Sequence, residues 1–246
     1  MLRAMVKSLV RPCHQFATRL PVPDLPTLTI LYRDADVLII DKPAGIAVHA
    51  APGAGRTLDA DLARLRLDAD IPPMITHRLD RDTTGCLVLA RHRAALAALN
   101  RLFAEGQVDK TYWAVVEGEM KEAAGRIDLA LRQVRRDGGW SVVADRRGDR
   151  ASTRWRVLGR GDGRSWLDLT PETGRMHQLR VHCAAIGHPV VADPLYGRPG
   201  HPGERLHLHA RSVGFIYPNG RRIDATAPPP RQMLPALAAC GFDEAG

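Results

Sequence analysis

The chain has 246 residues, of which 45% are apolar and 25% charged. That is enough for one large domain or two small ones, and the balance excludes a disordered chain. A formal net charge of +8 suits a polyanionic partner, whose phosphates would supply much of the affinity. An arginine-biased composition is the plainer alternative, because Lys7, Lys42, Lys110 and Lys121 are the only lysines.

Cys13, Cys86, Cys183 and Cys240 lie far apart and form no C-x-x-C pair, which argues against a disulfide or zinc framework. No apolar run is long enough to span a membrane. The expectation is a cytoplasmic protein with free thiols. Residues 1–26 carry basic residues and no acid before Asp24. They read as an untargeted, disordered basic tail, with a transit peptide, an arm touching RNA phosphates or a misassigned start as alternatives.

From Thr27 onward the pattern is that of a folded domain reaching residue 246. LTILY and VLIID read as two strands joined by a polar turn at Arg33–Asp36, the second buried because it is continuously apolar. Lys42-Pro43-Ala44-Gly45 is a loop. The spacing of Leu58, Leu62 and Leu65 predicts a helix over Thr57–Asp68 with Thr57 as its N-cap. After Pro72-Pro73 the polar loop HRLDRDTTG enters an apolar strand, Cys86–Ala90. His92–Phe103 reads as a helix stopped by Gly106.

KTYWAVV, Lys110–Val116, reads as a strand, and residues 125–170 as a β meander with a hairpin turn at Asp162-Gly163. PETGRMHQLRVHCAAIG is a loop entering a helix, with Gly187 as its stop. RLHLHA, an Ile216–Ile223 hairpin and a short helix near Gln232–Ala239 complete the chain. Strands outnumber helices without regular alternation. The predicted class is therefore α+β, a mainly antiparallel mixed sheet flanked by helices and loops around a central cleft.

The segment richest in chemistry is His77–Gly85. One carboxylate, Asp80, sits between Arg78 and Arg81 in a turn-forming loop leading to a buried strand. Flanking cations favour a charged carboxylate, and a loop fixed to a rigid strand is a good mount for a reactive group. A surface turn with local ion pairs would have the same residue types. The whole nonapeptide, however, resembles the H-R-L-D-x-x-T-S-G segment of the RluA family of pseudouridine synthases, with Thr84 where serine is usual. Leu38–Gly53 resembles that family's D-K-P-x-G-x-x-V-H segment. Leu169–Gly197 resembles its T-G-R-x-H-Q-[IL]-R-x-H segment, and Lys110-Thr111-Tyr112 its K-x-Y element.

The resemblance implies an RNA pseudouridine synthase with the fold of that family. It implies that Asp80 is the catalytic aspartate and that Arg180 forms a buried ion pair with it. It further implies that Tyr112 stacks on the flipped uracil and assists proton transfer at C5. Arg78 would help expel the base, Leu179 would line the pocket, and His77 and Lys110 fall in the same substrate-binding segments. Attack at C1′, attack at C6 and abstraction of the C2′ proton all stay open for Asp80. Isomerisation conserves every atom, so no cofactor and no metal is implied. Relatives often carry an N-terminal S4-type RNA-binding domain, and the 26 residues before Thr27 are too few for one. The expected partner is RNA, a ribosomal or transfer RNA stem-loop, bound by a monomer without an obligatory protein partner. A non-catalytic RNA-binding or ribosome-assembly factor and a hydrolase of nucleosides or glycosides are the competing classes; the hydrolase would need a second working carboxylate.

Several weaker signals are set aside. His177 and His182 are not spaced as a helical zinc pair, and His207 and His209 have no third ligand nearby. Gly53-Ala54-Gly55 lacks the P-loop ending. Asp41 and Asp82 read as structural, and Cys86 and Cys183 as inert buried thiols.

Overall fold

The structure is a computed structural model and describes residues 18–19, 28–49, 57–136 and 139–243. Cys13, Gly53-Ala54-Gly55 and all of the expected tail other than 18–19 lie outside the described residues. Thr18–Arg19 form a two-residue strand, β1, paired antiparallel with the start of β2, Thr29–Arg33. This short strand falls inside the segment read as a tail.

The chain then forms β3 (Val37–Lys42), a short helical segment, β4 (Met74–Ile75), β5 (Thr84–Ala90) and helix α2 (Arg93–Ala104). Strands β6 (Asp109–Glu117), β7 (Ala124–Asp128), β8 (Leu131–Arg136) and β9 (Gly139–Ala144) follow. Next come β10 (Ser152–Gly161), β11 (Arg164–Pro171), helix α3 (Gln178–Ala185), β12 (Leu208–Ile216), β13 (Arg222–Thr226) and helix α4 (Leu234–Ala239). One sheet runs β1-β2-β3-β5-β12-β6-β11-β10-β7, with β13 added to β12 and β4 to β5. Every pairing in it is antiparallel except that of β5 with β12, where Thr84 faces His209 and Gly85 faces Ala210. The α+β class with a mainly antiparallel sheet is as expected.

Continuously apolar strands are buried on both faces, as their composition requires. In β3 and β5, Val37, Ile39, Cys86 and Val88 pack under α2 with Leu99 and Phe215. The alternate residues Leu38, Ile40, Leu87 and Leu89 pack on the other face against Leu58, Leu62 and Leu65. Each such leucine contributes roughly 1.5–3 kcal/mol. In the other half of the sheet, Ala114, Val116, Leu167 and Leu169 meet Leu179 and Cys183 of α3. Val115 and Trp166 meet Ala236 and Leu237 of α4 on the opposite face.

Two predicted elements differ. The helix expected over Thr57–Asp68 is a single α-helical turn, α1 (Leu58–Asp61), tightening into a 3-10 turn at Leu62–Leu65. The leucine stripe is buried as predicted. Thr57 does not cap the helix, because its hydroxyl bonds the Asp59 side chain instead. The first amides donate to Ala47 and Val48 of the early loop, at 2.8 and 3.2 Å. The meander also divides: β8 and β9 form a separate two-stranded ribbon, with an isolated antiparallel bridge from Leu131 to Asp149 at its root.

Candidate active site

The turn from Leu79 to Thr83 sits at the entry to β5, close to where the two halves of the sheet join. Three features fix it. Thr83 N–H donates to the Asp80 carbonyl at 3.2 Å, closing the turn. The Lys42 ammonium, fully buried, donates to the carbonyls of Pro43, Ile46 and Arg81 at 2.7, 3.0 and 3.0 Å. Gly45 N–H also donates to the Arg81 carbonyl, and Arg81 Nε returns a bond to the Gly45 carbonyl. Lys42-Pro43-Ala44-Gly45 therefore cradles the backbone next to Asp80. Burial lowers the Lys42 pKa to about 8, against the charges of Asp82, Asp80 and Asp41.

Below the turn, the Thr84 hydroxyl bonds His209 Nδ1 at 2.8 Å, and His209 Nε2 lies 3.2 Å from the Ala227 carbonyl. The threonine at the position where the sequence pattern departs thus uses its hydroxyl to tie β5 to β12. Gly85 has φ +103°, and a Cβ there would lie 2.2 Å from the Ala210 carbonyl oxygen. Only glycine allows the parallel strands to approach this closely.

Arg180 comes from the first turn of α3, on the other half of the sheet. Its Nη1 donates to Asp80 Oδ2 at 3.2 Å. Its firmer partner is Asp193, reached through Nε at 2.8 Å and Nη2 at 2.7 Å in a two-pronged fork. Asp193 is fully buried and also accepts from the amides of Leu195 and Tyr196. Burial opposes the charge of Arg180, and Asp193 followed by Asp80 more than offsets it, so its pKa lies above the ordinary arginine value. A permanently charged, oriented guanidinium faces Asp80.

His177, which precedes α3, adopts a left-handed conformation with φ 53°. Its Nδ1 lies 2.7 Å from the Tyr196 hydroxyl and its Nε2 3.9 Å from Asp80 Oδ2. Burial keeps its pKa low against the pull of Asp80. Gln178 locks the loop before α3: its side-chain oxygen accepts from Thr173 and Arg175, and its amide donates to Ser152 and Thr153.

A cavity of about 650 Å3 opens over these groups, within the size range of ligand pockets. Asp80, Tyr112, Arg180, Arg78, Leu179, His77 and Lys110 all line it. Tyr112 projects from β6, and burial and the charge of Asp80 hold its phenol pKa above the ordinary value. Arg78 is exposed, while Leu79 and Leu179 are buried. Burial lowers the Lys110 pKa. The His77 ring stacks on Phe103, and its Nε2 accepts from the Val88 amide at 2.9 Å, so one nitrogen is committed to the backbone of β5. Burial and nearby Lys110 lower its pKa to about 3, which fits that neutral acceptor role.

Sequence reasoning missed Asp193, His177, Tyr196 and the role of Lys42. Each lies inside a segment already singled out by its pattern. A polar residue fixed among apolar neighbours, as in Val190-Val191-Ala192-Asp193, was the available signal. Burial pushes the thiols of Cys86 and Cys183 up to about 12, in keeping with inert cysteines. Among the described residues no group of three metal-binding side chains occurs.

The family model described as RNA pseudouridylate synthase matches residues 36–185. An uncharacterised RNA pseudouridine synthase of Zymomonas mobilis is 44% identical over 207 residues, covering 82% of this chain and 94% of that protein. The ribosomal large subunit pseudouridine synthase D of the same organism is 35% identical, covering 92% of this chain and 74% of that protein. Among solved structures, human RNA pseudouridylate synthase domain containing 1 aligns with a TM-score of 0.70 at 31% identity, covering 87% of each chain. A loop-borne aspartate, a guanidinium opposite it and these matches lead to one conclusion: the chain belongs to the RluA-type family of RNA pseudouridine synthases, which are isomerases.

Proposed function

We propose that this enzyme converts a uridine in a ribosomal RNA stem-loop, with Asp80 as the carboxylate that acts on the flipped nucleotide. One observation carries the reading: Asp80 and Arg180, one hundred residues apart, meet at 3.2 Å on the wall of a cavity also lined by Tyr112 and Leu179. Extruding a base costs a few kcal/mol, offset by stacking and backbone contacts. The Tyr112 ring supplies an aromatic face for the uracil, and its protonated phenol can exchange a proton at C5. Exposed Arg78 at the cavity is suited to fill the space the base vacates. Ribosomal RNA is favoured over transfer RNA by the relative named for the large ribosomal subunit. The same reading takes the enzyme as a cytoplasmic monomer that needs no cofactor and no obligatory protein partner.

The test compares wild type with Asp80→Ala on transcribed ribosomal and transfer RNA, mapping pseudouridine by carbodiimide-dependent stops. The variant should form no product while keeping its RNA affinity. Equal product from both proteins would remove Asp80 from the chemistry. Product on transfer RNA alone would reassign the substrate.

A further inference from the structure

The β8–β9 ribbon stands outside the main sheet, yet its root is built into the active site. Its register pairs Leu131 with Ala144, Gln133 with Val142 and Arg135 with Trp140. Side chains alternate along a strand, so these six share one face. At the root, Leu131 and Val142 are buried against Val181 of α3, with Met176 and Tyr196 packed alongside. The Val142 amide donates to the Tyr196 hydroxyl at 3.0 Å, the same hydroxyl that bonds His177. The next residue outward on this face, Gln133, lines the catalytic cavity and also a second cavity of about 370 Å3 beside it. One further step outward, about 7 Å along the strand, come Arg135 and Trp140.

Trp140 is 62% exposed, whereas Trp155 and Trp166 are each 9% exposed. A large apolar ring left in water at the end of a ribbon rooted in the active site has no folding rationale. The surroundings favour a polyanion as its occupant. Between Leu131 and Arg150 there are six arginines against three aspartates. The second cavity is lined by Arg132, Arg147 and Arg175, three cations that share two carboxylates, Asp145 and Asp149. We propose that this face is a docking arm for single-stranded RNA. A base flanking the flipped uridine stacks on the Trp140 indole, and Arg135 meets the adjoining phosphate. A π face accepts any base, so the arm would hold the strand without reading its sequence. The proposal rests on the RNA-modifying reading above and adds to it a contact outside the catalytic cavity.

The experiment uses a transcribed ribosomal stem-loop on which the wild-type protein forms pseudouridine. Trp140→Ala should weaken binding and raise KM by on the order of tenfold, with kcat at saturating RNA nearly unchanged. Trp140→Phe should recover most of the loss. In the wild type, the RNA should shield tryptophan fluorescence from iodide quenching, and in Trp140→Ala that shielding should vanish. Unchanged KM in Trp140→Ala with unchanged quenching would overturn the proposal while leaving the catalytic assignment intact. So would a Trp140 shielded in free protein and uncovered on dilution, which would assign the ring to contact between copies of the chain.

Discussion

Asp80 is held in place by a relay of charged and backbone groups behind it. Arg180 holds it, Asp193 holds Arg180 by two bonds, and the amides of Leu195 and Tyr196 hold Asp193. Removing one member of a buried charged pair strands the other and costs about 3–5 kcal/mol. Asp193→Asn keeps the shape and removes the charge, so Arg180 should drift from its fork. We expect kcat to fall by on the order of 100-fold with little change in KM, since a small misplacement of a reacting group has that effect. Steady-state kinetics and a denaturant titration on the same variant check both parts. Asp80 and Arg180 were legible from motif resemblance. Asp193 was signalled only by its place after the apolar Val190-Val191-Ala192, and nothing local indicates that it turns to a helix 13 residues earlier.

Among the elements, β3 and β5 could be read well, because unbroken apolar runs leave few alternatives to burial on both faces. The separation of β8–β9 could not be foreseen. Its alternation resembles that of any meander, and only the packing of Leu131 and Val142 on Val181 and Met176 reveals that it belongs to α3 instead of the sheet. The shortened α1 was hidden for a related reason: carbonyls of the preceding loop, Ala47 and Val48, satisfy its first amides. The most sensitive junction is β5–β12. Gly85→Ala would place a methyl 2.2 Å from the Ala210 carbonyl oxygen at a left-handed φ. We expect a loss of at least ~3 kcal/mol, from strain and overpacking together. Chemical denaturation should show it as a lower midpoint, while Gly106→Ala, where a Cβ meets nothing within 4 Å, should cost less.

Taken whole, the molecule buries several neutral imidazoles. His77 is lowered to about 3, and His207 and His209 to about 4, chiefly by burial. An unfolded histidine titrates near ~6.5. Between these values the unfolded chain binds more protons, so their contribution is full above about pH 6.5 and is lost as the pH falls toward 4. Asp41, raised to about 6 by burial, acts the other way below that pH, one carboxyl against three rings. Thermal melts followed by circular dichroism should give a Tm that falls steadily from pH 6.5 to 4; a flat profile would contradict the buried neutral rings. The strand order has a further consequence for biogenesis. β12, residues 208–216, lies between β5 and β6 in the sheet, so the seam joining the two halves can close only after most of the chain has left the ribosome. Until then the carboxylate and its guanidinium partner sit on unjoined pieces, and a nascent or prematurely ended chain lacks the assembled centre.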